Sequence, residues 1–333
     1  MKLSDHITVA VPLRISFAGG GTDLPIFYKR RIGSVLNTSI NKYIYITVKK
    51  QNVLFGASYR LNYSDTEIVE DISQIKNDIA RECLKLLPVP PPLYISTIAD
   101  LPASSGLGSS SSFAVGLLKS LHMLRGETVD VMQIAEEACE VEMYRLNRPT
   151  GKQDAYAAAC GGMNIFRFFP DESVRCIPVV SDQNRLNFFF SHLLMFWTGI
   201  TRDASKILSD QTQSIDQKFS TLCEMADQVD ILHRITKSSF CPIEIGAILH
   251  RNWVMKKKLS TLISSPKIDQ WYQLAKDAGA YGGKICGAGG GGFLVFLAPI
   301  KAHDSIRLAL SELIEIKINY EEDGVQNISS FSR

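Results

Sequence analysis

Pro102-Ala103-Ser104-Ser105-Gly106-Leu107-Gly108-Ser109-Ser110-Ser111-Ser112 decides the reading of this chain. The run follows a short apolar stretch, Leu93–Ile98, that fits a buried strand. It precedes a segment in which Phe113, Leu117, Leu121 and Leu124 recur at helical spacing before Gly126. Glycines let backbone approach a ligand closely and adopt positive φ. Serines at a helix start cap its free N–H groups, and those groups together with the helix dipole favour an anion such as phosphate. The hydroxyls add donors and a potential magnesium ligand. A flexible Gly/Ser linker would not be flanked by an apolar strand and an amphipathic helix. No G-x-x-x-x-G-K-[ST] pattern occurs, so the run is not a Walker A loop.

The bulk numbers narrow the classes. The chain has 333 residues, enough for two domains, with 45% hydrophobic and 21% charged residues, an ordinary soluble composition. A net charge of +2 lacks the basic excess of a nucleic-acid binder. The densest basic run, Lys256-Lys257-Lys258, reads as a solvated helix face. Seven cysteines, an odd number without C-x-x-C spacing, argue against a disulfide framework or zinc site and for a reducing cytosol. No H-E-x-x-H, signal peptide or apolar stretch approaching the ~20 residues of a membrane span is present, so a cytoplasmic location is expected.

Outward from the decisive run, Ile7–Phe17 and Tyr43–Val48 read as strands and Ser73–Leu87 as a helix stopped by Pro88. A helix from Asp130 to about Leu146 carries the apolar stripe Val131, Ile134, Ala138 and Val141. Leu186–Trp197, with Phe188-Phe189-Phe190, reads as a buried strand, and a domain boundary is expected just before it, giving domains 1–185 and 186–333. Helices follow over about Thr201–Ser238, Ile243–Ser264 and Ile268–Ala278, then a glycine cluster, Gly279–Gly292, and a strand, Phe293–Leu297.

Two further glycine elements and two carboxylates stand out. Gly287–Gly292 satisfies G-x-G-x-x-G, but a strand-like run follows it rather than the helix a dinucleotide fold needs. A site where backbone packs on backbone or approaches a ligand is the better reading. Arg14 followed by Gly19-Gly20-Gly21-Thr22-Asp23 is by itself as compatible with a tight turn as with a site. Glu142 continues the spacing Ile134, Ala138 and so projects from the apolar stripe, where a carboxylate is costly unless paired or bound to metal. A half-exposed edge position explains its place equally well. Asp154, just past Pro149 in Gly151-Lys152-Gln153-Asp154, could simply cap a helix.

Taken together these residues resemble the GHMP kinase superfamily, whose three motifs match in order: Pro12–Ile15 with Gly19–Asp23, then Pro102–Ser112, then Lys284–Gly292. The resemblance spans the chain from Pro12 to Pro299. It implies two α+β domains, an N-terminal phosphate-loop domain and a C-terminal ferredoxin-like one, with the active site in the cleft. It implies that Pro102, Ser104, Ser105, Gly106, Leu107, Gly108, Ser109, Ser110 and Ser111 wrap ATP, and that Ser110 and Glu142 hold Mg²⁺. Asp154 matches the catalytic aspartate and Arg14 the basic residue facing the transferred phosphoryl group. Gly20, Gly21, Thr22, Asp23, Gly199, Gly289 and Gly290 would border the substrate.

Within the superfamily, Arg14–Pro25, Gly151–Asp154, Thr198–Arg202 and Gly282–Lys284 are most similar to the kinases of D-glycero-D-manno-heptose 7-phosphate. Glutamate and histidine stand at the sites of Gly20 and Gly21 in galactokinases, which makes galactose a poorer fit. Ala155 departs from the heptose kinases, which usually carry glutamine there. The implied reaction phosphorylates the anomeric hydroxyl, with Lys152, Arg202 and Lys284 as candidates for holding the 7-phosphate. The expected partners are a small sugar phosphate and ATP, with no nucleic acid or membrane, and a homodimer is allowed. The alternatives are a GHMP kinase for another sugar and an inactive sugar sensor that keeps the fold.

Overall fold

The computed structural model describes residues 5–329 except 180, 181, 202, 203, 214 and 239. Among the described residues twelve strands form two sheets: β1 (His6–Ala18), β2 (Gly33–Lys50), β3 (Tyr59–Asn62), β4 (Thr66–Val69), β5 (Leu93–Ala99), β6 (Met163–Phe168), β7 (Val174–Pro178), β8 (Leu193–Trp197), β9 (Gly282–Ile285), β10 (Phe293–Leu297), β11 (Ile314–Glu315) and β12 (Gln326–Asn327). The first sheet runs β12-β1-β2-β5-β3-β4, with β6 and β7 added along the early half of β2. The β3–β5 pair is parallel and the other strand pairs named here are antiparallel. The long strand β2 is therefore shared: Gly33–Thr38 faces β6 and Ile44–Lys50 faces β5.

The register of β1 on β2 shifts between Pro12 and Leu13 and again between Ser16 and Ala18. Such irregularities re-aim side chains. Arg14 lies between them, and its backbone N–H leaves the sheet to donate to Leu107 O at 3.1 Å. The expected strand after Leu93 and the helix after the Gly/Ser run are both present, the helix spanning Ser109–Arg125. It ends at Gly126, whose φ of 76° suits the left-handed cap. Leu117, Leu118, Leu121 and Leu124 bury its inner face.

The second sheet has the order β11-β8-β10-β9. Taken as four strands in sequence this is 4-1-3-2 with helices in both crossovers, the ferredoxin-like arrangement that was expected. Its core holds Phe196, Trp253, Trp271 and Phe296 and is distinct from the larger core on the first sheet. The chain then returns to the first sheet, where β12 pairs with β1.

Two expectations are corrected. Leu186–Trp197 is not one strand: Gln183–Ser191 is a helix, and only Leu193–Trp197 is strand. Asp182 caps the helix by accepting from Arg185 N at 2.9 Å. Leu186, Phe189 and Phe190 then share its buried face while Phe188 points outward. Residue 185, the expected boundary, falls inside this helix. Lys256 is not on a solvated face: it is buried, whereas Lys257 pairs with Asp269 at 2.9 Å. The Asp130–Leu146 segment also changes form along its length. It is α-helical over Val131–Cys139 and a π-turn over Glu140–Arg145, closed by Leu146 N donating to Val141 O at 3.0 Å.

Candidate active site

A cleft of about 1290 Å³ opens between the phosphate-type loop, the turn after β1, the helix Gln153–Cys160 and the third glycine motif. Ordinary ligand pockets are roughly 300–1,000 Å³, so this one has room for two small molecules. Ala103, Ser104, Gly106, Gly108 and Ser109–Ser111 line it. The positive φ values of Gly106 and Gly108, 87° and 83°, turn the loop backbone into the start of the helix. Pro102, Ser105 and Leu107, expected to wrap a nucleotide, do not line the cleft. Ser105 and Leu107 are buried behind the loop.

The third motif backs this loop rather than facing the cavity along its length. A Cβ on Gly287 would meet Gly106 Cα at 2.6 Å, and one on Gly292 would meet Ser105 O at 2.1 Å. Gly289 and Gly290, expected to border substrate, are instead committed to Ile263, whose carbonyl accepts from Gly290 N at 2.7 Å. Gly287, Ala288 and Lys284 do reach the cleft.

Arg14 is the hinge of the site. Its Nε donates to Asp154 Oδ1 at 2.8 Å, its Nη2 to Asp154 Oδ2 at 2.7 Å and its Nη1 to Gly106 O at 2.7 Å. The fork fixes the carboxylate and ties it to the loop. Asp154 lies in the first turn of the helix Gln153–Cys160 and keeps 21% side-chain exposure, so its remaining lone pairs face the cleft.

Glu142 sits on the π-turn and is buried. Its two carboxylate oxygens accept from the hydroxyls of Ser110 and Ser111. Burial pushes its pKa up, and the two serine bonds act in the opposite direction. Among the described residues no group of three His, Cys, Asp or Glu could hold a metal by itself. One carboxylate with hydroxyl oxygens is nevertheless what magnesium uses when substrate phosphates and water complete its shell. The residues present fit that ion.

Asp23 is buried as well, and its Oδ1 accepts from Gly21 N at 2.9 Å. Burial, then repulsion from Asp154, raises its pKa. Lys284 is buried, donates to Ser16 O at 2.6 Å, and is pushed down to about 8 by desolvation. Gly20, Gly21 and Asp23 line the cleft, but Thr22 does not. Its hydroxyl is spent on Gly19 O and on Ser34, which holds the turn.

Lys152 is a further correction. Its Nζ donates to Glu172 O at 2.6 Å and lies 5.2 Å from the Tyr28 ring centroid, outside the cleft lining. Gly199 is outside the lining too. Arg202 lies outside the described residues.

Two lining cations escaped the sequence reading. Arg148 donates from Nη1 to Ser110 Oγ at 3.0 Å and from Nη2 to both Asp78 oxygens at 2.8 and 2.9 Å, and stands 3.5 Å from Glu142. Lys256 donates to Gly287 O. An arginine six positions after Glu142 was the one available signal for the first. Nothing in a lysine triplet tells which member turns inward.

Residues 72–162 match the family model described as GHMP kinases N terminal domain, and residues 239–315 match the one described as GHMP kinases C terminal. A D-glycero-alpha-D-manno-heptose 7-phosphate kinase of Campylobacter jejuni is 29% identical, with 96% of this chain and 98% of that protein covered. A solved D-glycero-D-manno-heptose 1-phosphate kinase from Bacteroides thetaiotaomicron superposes with a TM-score of 0.79 at 23% identity, covering 98% of this chain and all of that one. A Lactococcus lactis galactokinase complexed with galactose gives a TM-score of 0.77 at 14% identity, covering 98% and 96%. At these identities the two structures speak for the fold.

Proposed function

This chain belongs to the GHMP kinases, both of whose domain models it matches, and from that premise we propose that it is an ATP- and Mg²⁺-dependent kinase of D-glycero-D-manno-heptose 7-phosphate that forms the 1,7-bisphosphate. The observation that carries the reading is the convergence of Arg14, Asp154, Ser110 and Glu142 on one cleft large enough for a nucleotide and a sugar phosphate. The near full-length likeness to the Campylobacter jejuni heptose 7-phosphate kinase supports the choice of acceptor.

Phosphoryl transfer asks a protein mainly for positioning and charge neutralisation. Ser104, Gly106 and Gly108–Ser111 of the loop offer backbone N–H groups and hydroxyls to the phosphate chain, with the helix Ser109–Arg125 pointing its positive end there. Ser110 and Glu142 would hold magnesium, which supplies charge neutralisation at the phosphates when bound. Asp154, fixed by Arg14, orients the attacking hydroxyl and accepts its proton. An anomeric hydroxyl is more acidic than an ordinary alcohol, so the base it needs is not a strong one. With Lys152 turned away, Lys284 and Lys256 are, among the described residues, the lining lysines left to meet the acceptor's phosphate.

The test is phosphate transfer from ATP across a panel of free and phosphorylated sugars. Heptose 7-phosphate should be the preferred acceptor, and Glu142→Gln should remove the magnesium dependence together with most turnover. Preference for another sugar would keep the kinase and replace the acceptor. Tight ATP binding with no transfer to any sugar would turn the reading into a sensor.

A further inference from the structure

The scheme above leaves three polar side chains of the cleft without a role. Ser16 is 3% exposed and its Oγ has no hydrogen-bond partner. Gln153 Oε1 and Gln211 Nε2 are likewise buried and unpartnered. All three residues line the cleft, although they come from β1, from the first residue of the helix Gln153–Cys160 and from the helix Ala204–Gln213. A buried donor or acceptor left unpaired is costly, so such groups call for a partner that pairs them.

Their polar ends gather round two adjacent glycines. A Cβ built on Gly20 would lie 3.8 Å from Ser16 Oγ and 3.9 Å from Gln153 Nε2, and one on Gly21 would lie 4.0 Å from Gln211 Oε1. Gly19, by contrast, is fixed by its backbone: its φ is 84° and a Cβ would strike Ser34 O at 1.9 Å. Neither constraint applies at Gly20, which is outside the positive-φ region and has no heavy atom closer than 3.8 Å to the missing Cβ. What glycine supplies there is open volume beside the Ser16 hydroxyl and the carboxamide of Gln153.

The mixture of groups defines what fills it. A carboxamide presents one donor end and one acceptor end, and a serine hydroxyl is both. Phosphate would leave the acceptor ends unpaired. Neighbouring hydroxyls of a sugar ring satisfy both kinds. Gln153 also precedes Asp154 in the chain, which brings such hydroxyls beside the proposed base. We propose that Ser16, Gln153 and Gln211 bind ring hydroxyls of the acceptor over a floor made by Gly20, and thereby select the sugar. The inference rests on the kinase reading and deepens it.

Three variants test it: Gly20→Ala, Ser16→Ala and Gln211→Ala, with melting curves to verify folding. Heptose 7-phosphate is varied at saturating Mg·ATP, and ATP binding is followed separately by calorimetry. Gly20→Ala should lower the acceptor's kcat/KM at least about tenfold, while the Kd for ATP stays within about twofold. Ser16→Ala and Gln211→Ala should each lower it by up to about tenfold, the worth of one hydrogen bond. An acceptor analogue lacking the bonded ring hydroxyl should lose no more in the matching variant than the variant loses with the full sugar. Unchanged acceptor kinetics in folded Gly20→Ala and Ser16→Ala, or equal losses for ATP and acceptor, would overturn the hydroxyl site while leaving the kinase intact. A wild-type protein that phosphorylates no sugar would remove both.

Discussion

Two glycine-rich stretches meet in this molecule and do opposite things. Pro102–Ser112 turns its backbone toward the cleft, with Gly106 and Gly108 at positive φ and the serine hydroxyls reaching Glu142. Gly287–Gly292 turns most of its length inward, against Gly106, Ser105, Ile263 and Ile200. Both stretches look like phosphate loops on paper, and the second even fits a dinucleotide pattern. The difference is what a Cβ would meet: at Gly108 the side chains of Arg14 and Asp154, no closer than 3.4 Å, and in the second stretch another backbone at 2.1–2.7 Å. On the proposed reading one loop binds and the other holds it in place. Damage to the open wall should therefore cost turnover, and damage to the backing wall should cost stability first.

The largest effect expected is on the open wall. Asp154→Asn keeps the size of the side chain but accepts no proton and breaks the charge pairing with Arg14. Turnover should fall by roughly 10²–10⁴-fold, the usual worth of a positioned acid–base group. Melting should shift little by comparison. A large melting shift with modest loss of turnover would make the Arg14–Asp154 pair a structural strut and break the contrast.

Gly292→Ala probes the backing wall. Its φ is 88°, and the added Cβ would lie 2.1 Å from Ser105 O. The left-handed backbone alone costs about 1–3 kcal/mol, and the clash adds to it. Gly199→Ala is the natural control, since Gly199 has φ 72° with nothing within 4 Å of the new atom. In denaturant unfolding Gly292→Ala should lose clearly more stability than Gly199→Ala. Equal losses would mean that the loop tolerates displacement and that the close approach is not what the glycines are for.

Arg148→Met sharpens the comparison, because Arg148 holds the open wall from the side. It ties Ser110 to Asp78 and stands beside Glu142. Without it Ser110 loses one anchor and the buried carboxylate loses its nearest cation. The KM for ATP should rise about tenfold or more, in keeping with the ~1.5–3 kcal/mol of one charge-assisted hydrogen bond, while the KM for the acceptor stays unchanged. A parallel rise in both would assign Arg148 to general stability of the cleft.

How far the sequence could be read follows the same division. The phosphate loop was legible because strand, glycines, serines and helix lie within one local stretch, each with its own physical signature. Glu142 was half legible: a carboxylate in line with an apolar stripe is an anomaly, but an edge position explained it equally well until the structure buried it, and the π-turn that carries it was not foreseen. Lys152 misled because a cation beside Asp154 suggests a ligand, whereas a carbonyl at Glu172 and the ring of Tyr28 draw it away. Lys256 misled in the other direction, since only packing against Gly287 distinguishes it from Lys257 and Lys258. The Phe188–Phe190 run lost its strand to Asp182, whose cap settles a helix that composition alone leaves ambiguous. Ser16, Gln153 and Gln211 could not be grouped at all, because three distant segments bring them together.

The smallest effect lies where the two walls join. Lys284 belongs to the backing motif, yet its ammonium reaches the cleft and donates to Ser16 O. Desolvation lowers its pKa to about 8, against 10.5 for a free lysine. Below pH 8 the amine is charged in both folded and unfolded chains, so the burial cost is carried in full. Between pH 8 and 10.5 the folded protein sheds a proton that the unfolded chain keeps, and the Lys284 contribution to stability becomes more favourable as pH rises. Unfolding free energies at pH 7 and pH 9.5 should show wild type gaining on Lys284→Met by on the order of 1 kcal/mol. If the charged amine also meets the acceptor's phosphate, the acceptor KM rises over the same interval while the ATP KM does not. A flat difference between wild type and variant across this interval would show that the amine titrates as in water, and would move Lys284 from the buried junction to the solvent side of the cleft.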